Sequence, residues 1–172
     1  MRGAFLFGFF CVMAGCTDPH HQQTNSALQS LLTVVETTDS INATINLSAL
    51  QTRVAEVDRI IAEASSKGDT LNETNAQVLY RFAQLSPQMR SAEARSQQVA
   101  AECKRTSAQL TAMLHDHTSG AMPTDSVKHH IDTEFQYVEQ LSEAVTSIGS
   151  EVDSCVRIFD ELLPRVRLII DP

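Results

Sequence analysis

The stretch "VEQLSEAVTSIGSEVDSCVRIFDELLPRVRLI", residues 138–169, places an apolar side chain alternately three and four positions after the last. Val138, Leu141, Val145, Ile148, Val152, Cys155, Phe159, Leu162, Val166 and Ile169 are its successive seam positions. A repeat of about 3.5 residues returns these side chains to one stripe of an α-helix, whereas a half-buried strand needs a period of two. Such a stripe belongs to a long helix packed lengthwise against other helices.

Upstream, the alternation continues through Leu71, Val78, Phe82, Leu85, Met89, Ala92, Val99, Cys103, Leu110 and Met113. An earlier run passes through Leu47, Leu50, Val54, Val57, Ile61 and Ala64. Before it, Leu28, Leu31, Leu32, Val35, Ile41 and Ile45 extend the first helix, with a phase shift near Ile45 that reads as a stutter. Local chemistry marks the breaks. "SSKGDTLNE", residues 65–73, carries Gly68 and then Thr70 with Glu73 three places on, a capping box. "HTSGAMPTDS", residues 117–126, carries Gly120, Pro123 and Asp125, a loop followed by a helix start. Ser86-Pro87 leaves two readings open, a kink in one helix or the start of a new one.

The expected fold is therefore all-α: an elongated antiparallel three-helix bundle with coiled-coil-like packing, its helices at about 27–66, 70–116 and 125–163. Pro164 is expected to bend a short C-terminal extension. The four-helix alternative divides the second helix at Pro87. Each long helix spans about 60 Å at 1.5 Å per residue. A tight hairpin around Gly120 makes residues face each other when their numbers add to about 242. Asn75, a polar residue among apolar neighbours, reads as a register-setting position.

The N-terminus follows another pattern. After Arg2, "AFLFGFFCVMAG", residues 4–15, is an apolar run and a polar segment follows it. About 20 apolar residues are needed to cross a bilayer, so this run has the length of an export signal. Met13-Ala14-Gly15-Cys16 resembles a bacterial lipobox, with Met13 standing where Leu is usual. The resemblance covers the first 16 residues. It implies a lipoprotein whose signal, residues 1–15, is removed and whose Cys16 is lipidated. In a Gram-negative cell, Thr17 after that cysteine implies the outer membrane. The alternative is plain secretion. Residues 16–26 are expected to be the lipidated cysteine and a polar tether, and residues 27–172 the helical bundle domain.

The 172-residue chain carries 13 basic and 21 acidic side chains, a net charge of −8. Phosphate neutralisation needs clustered Lys and Arg, so nucleic acid is excluded as a partner. Anionic lipid would repel such a body, which leaves membrane attachment to the acyl chains. Cys103 and Cys155 remain as a pair that an oxidising compartment could bridge. The hairpin register opposes this, because it sets Cys103 near residue 139 and Cys155 near residue 87. Asn42-Ala-Thr is among the matches to a glycosylation acceptor, relevant to a eukaryotic secretory source alone.

No nucleophile elbow, zinc-protease helix, Cys-X-X-Cys or phosphate loop occurs, so the chain reads as non-enzymatic. The local concentration of metal-ligand types is His115, His117, His129 and His130 at the hairpin end, with Asp116 and Asp132 close by. Imidazoles from two helices would suit Zn²⁺ or Cu²⁺; otherwise these are polar residues beside a loop, and no cofactor is expected. His20 and His21 read as solvated tether residues. Two functions follow as expectations. The first is a lipid-anchored envelope protein acting through helix-surface contacts with a protein partner or with its own copies. The second is a periplasm-facing metal-binding protein.

Overall fold

A computed structural model describes residues 19–67 and 72–171; Cys16, with the lipidation expected there, and Thr70 lie outside them. Among these residues five helices follow in order: α1 Pro19–Ala43, α2 Leu47–Lys67, α3 Glu73–Ala83, α4 Leu85–Thr118 and α5 Thr124–Ile170. Among the described residues there is no strand. The helices form three legs, two of them bent: α1 with α2, α3 with α4, and α5 alone. The all-α bundle is as expected, and both ways of counting its helices describe it.

The first and third legs run the same way and the middle one returns between them. Thr38 of α1 bonds Ser142 of α5 at 2.8 Å, and Glu56 of α2 accepts from Arg167 of α5 at 2.7 Å. The hairpin register of α4 and α5 also follows the expectation. Gln109 donates to Glu134 at 2.5 Å, Tyr137 to Glu102 at 2.6 Å, and the Cys155 thiol to Gln88 at 3.6 Å. Cys103 and Cys155 are consequently free thiols, and no bridge joins them. They are buried in different halves of the core.

Each bend has a local cause. The ring of Pro87 would clash with the carbonyl of residue 83 in an unbroken helix. The chain therefore turns at Gln84, which leaves Pro87 within the first turn of α4, where an amide N–H has no intrahelical partner. The bend is shallow: Gln84 stays right-handed at φ −65° and ψ −17°, and its N–H still reaches the Tyr80 carbonyl at 3.1 Å. Phe82, Leu85 and Met89 keep their seam phase across it and are all buried. In the first leg the phase shift is an actual break, because Asn46 caps α2 by accepting from the Ala49 N–H at 3.0 Å.

Two expectations are corrected. The polar tether expected over residues 16–26 is helical from Pro19 onward, where α1 begins. Buried Thr24 and Leu28 give that early segment a packed face. Pro164 does not end the third helix, which runs on to Ile170. Pro164 is exposed, so water can take up the carbonyl its ring displaces, while buried Leu162, Val166 and Ile170 hold the turns on both sides.

The core divides into two clusters along the rod. One joins Leu28, Leu31, Val35, Cys103, Leu110 and Val138 with their neighbours at the α1 end. The other joins Leu50, Val57, Phe82, Met89, Phe159 and Leu162 at the far end. Where α1 stops, a polar layer lies in the seam. Asn42 Nδ2 donates to the Ser96 carbonyl and Ser96 Oγ donates to Asn42 Oδ1, both at 2.9 Å. Asn42 is 5 % exposed, a position that a glycan would not reach. α5, with 47 residues, makes the rod about 70 Å long.

Candidate functional site

The four expected histidines separate. His117 turns inward and is 2 % exposed. Its Nδ1 lies 2.8 Å from Asn25 Oδ1 of α1, and its Nε2 lies 3.3 Å from Thr124 Oγ1 of α5. One imidazole thus joins the end of one helix to the starts of two others. His115, His129 and His130 remain exposed. The rings of His129 and His130 meet edge to face at 5.9 Å. Among the described residues no three His, Cys, Asp or Glu side chains form a metal-ion ligand set. The arrangement expected for Zn²⁺ or Cu²⁺ is not formed, because both nitrogens of His117 are engaged in holding the helix ends together.

The ring packed on His117 is His21, edge to face at 4.1 Å between centroids. Its Nδ1 is buried with no hydrogen-bond partner among the described residues. Burial, and then the proximity of His21, hold the His117 pKa below its ordinary value. The neutral ring suits this place, since it can donate through one nitrogen and accept through the other. The signal for His21 was present in the sequence: stepping back from Leu28 by the same alternation gives Thr24 and then His21.

Among the described residues no reactive thiol accompanies these histidines. Burial, reinforced by neighbouring carboxylates, pushes the pKa of both Cys103 and Cys155 up, so both stay protonated and poorly nucleophilic. Surface features are of another kind. Between α1 and α5 runs a shallow groove lined by Thr33, Val34, Thr37, Ile41, Val145 and Thr146. Val34 and Ile41 are 43 % and 52 % exposed there. At the opposite end of the rod, Tyr80 and Leu168 are 66 % and 70 % exposed. No helix among the described residues is long and apolar enough to cross a membrane.

No family model matches the chain, and no curated protein or solved structure matches it.

Proposed function

We propose that this chain is a lipid-anchored, non-enzymatic protein of a bacterial envelope. It holds a helical rod at a membrane surface and works through contacts of its exposed helix faces. The observation that carries the reading is the short distance in sequence between Cys16 and the first turn of α1 at Pro19. Three chain steps span at most about 11 Å, so an acylated Cys16 brings the start of the rod close to the headgroups. The α4–α5 hairpin, tied to α1 through His117, lies at that same end. The last turn of α2, the first turn of α3 and the end of α5 then point away from the bilayer. The lipobox and Thr17 support outer-membrane placement in a Gram-negative cell.

Exposed apolar side chains on the rod support contact with protein as the mode of action. The two thiols, buried and protonated, support a non-enzymatic reading. The test is metabolic labelling with a fatty acid in a bacterial host, followed by membrane fractionation. Label on the wild-type chain in the membrane fraction, lost with Cys16→Ser, is the expected result. An unlabelled chain, or label that survives the substitution, refutes it.

A further inference from the structure

Helix α1 carries two seams. The buried one passes through Thr24, Leu28, Leu31, Val35, Thr38 and Asn42. One residue earlier at every step, Gln23, Ala27, Ser30, Val34, Thr37 and Ile41 repeat the same alternation of four and three. None of these six is buried, and Ala27 alone is half-buried. A one-residue offset turns a helix by about 100°, so this second seam flanks the first. It faces the α5 side, where Thr38 meets Ser142.

The second seam carries no charge. Across Pro19–Ala43 the charged side chains, with His neutral, are Glu36 and Asp39. By helical phase both lie on the α4 side of the core face or behind it, and Asp39 acts electrostatically on Cys103 of α4. The hydroxyls around the seam are already engaged. Ser30 donates to the Ser26 carbonyl, Thr33 to Gln29, Thr37 to Thr33, and Thr146 of α5 to Ser142. What the groove offers an incoming helix is therefore mostly methyl groups. Phe135, one heptad before Ser142 on α5, adds an apolar ring that is 57 % exposed.

We infer that this second seam of α1 is where a second copy of the chain docks, α1 against α1. This deepens the helix-surface reading by naming the partner. It rests on that reading; the lipid supplies none of the contact and only raises the local concentration of copies. A 3-4 repeat receives a helix. Two molecules with a net charge of −8 each repel one another over most of their surfaces. The uncharged seam is the face on which they can approach. An isologous contact sets Val34 against Val34 and Ile41 against Ile41, with small Ala27 and Ser30 allowing close approach. A 25-residue helix offers a strip of about 37 by 10 Å, near 370 Å² per copy. That is about half of what a stable complex buries, so the pair forms mainly where copies are crowded on one surface.

The test uses the full chain in isolated membranes with a single added cysteine, Val34→Cys, Ile41→Cys or Glu36→Cys, under mild oxidation. Wild type is the control for the buried native thiols. The first two variants should yield a disulfide-linked species of twice the chain mass about tenfold faster than the third, because disulfide closure demands Cα atoms within about 7 Å. Adding Val34→Asp to Ile41→Cys should suppress it, with helicity confirmed by circular dichroism. Equal linking at all three positions overturns the inference, as does linking to a protein of another mass. The acyl mass on Cys16 is read from the same sample. Missing acyl with linking intact removes the anchor and leaves the seam contact standing; acyl present without linking does the reverse.

Discussion

Asn42 and Ser96 exchange two hydrogen bonds inside the bundle, each 2.9 Å long, across 54 residues of chain. A buried amide could not be left half-paired there without cost. The pair occupies a seam position on both helices, at the level where α1 ends and the two apolar clusters meet. It fixes which turn of α4 lies beside the end of α1, as a buried polar residue fixes register in a coiled coil. Ser96→Ala leaves Asn42 Oδ1 without its donor and should destabilise the fold by about 1–3 kcal/mol. Thermal unfolding should then begin about 2–4 °C lower per kcal/mol. Asn42→Ala combined with Ser96→Ala should lose less than the sum of the single changes, and strict additivity would show that the pair is not coupled.

The His117 clasp makes stability depend on pH. In the unfolded chain the imidazole takes up its proton near pH 6.5, while in the fold burial and His21 oppose that step. The unfolded state holds more protons as pH falls below about 6.5, so the stabilisation is complete above that range and is lost toward acid. The unfolding midpoint should drop between about pH 7.5 and 5.5, and His117→Gln should flatten most of this slope. An unchanged slope in that variant would remove His117 from the cause.

Cys103 and Cys155 are 1 % and 3 % exposed. With their pKa values raised, neither should react with a thiol reagent in the native protein, and both should react in denaturant. Intact mass without reductant should be that of the chain with two free thiols. A mass lower by two hydrogens would show a bridge that this register forbids.

Much of the bundle was legible because its apolar pattern is long. Val138, Leu141, Val145, Ile148, Cys155 and Phe159 are buried as their spacing demands. The counterpart seam on α4 is completed by Ser96 and Thr106 at places where the sequence shows no apolar residue. Reading by apolarity alone failed on α1. It assigned Ile41 to the core, yet Ile41 is exposed, and Thr38 and Asn42 hold the buried places. Small polar residues that satisfy one another can occupy a seam, and a hydrophobic count passes over them. Asn75 illustrates the converse. It is only half-buried, and its N–H donates to the Asn72 side chain, which caps α3.

The histidine cluster shows where adjacency in sequence misleads. His115 and His117 are two residues apart on a helix, about 200° of turn, so one faces solvent when the other faces the core. The partners of His117 came from α1 and from the start of α5, and α1 reaches that end only because the helix begins at Pro19. The end expected for the third helix at residue 163 came too early for a related reason. An exposed proline flanked by buried seam residues does not stop a helix that packing holds on both sides.

Orientation on the membrane is the most direct test of an anchored rod. A fluorophore is attached to His129→Cys, exposed in the early turns of α5, or to Leu168→Cys, exposed near its far end. The two sites are about 60 Å apart along the helix. In vesicles carrying the acylated full chain and a quencher on the lipid headgroup, the label at 129 should be strongly quenched and the label at 168 hardly at all. Equal quenching at both sites, or the reverse order, would contradict a rod held by its first helix at the bilayer.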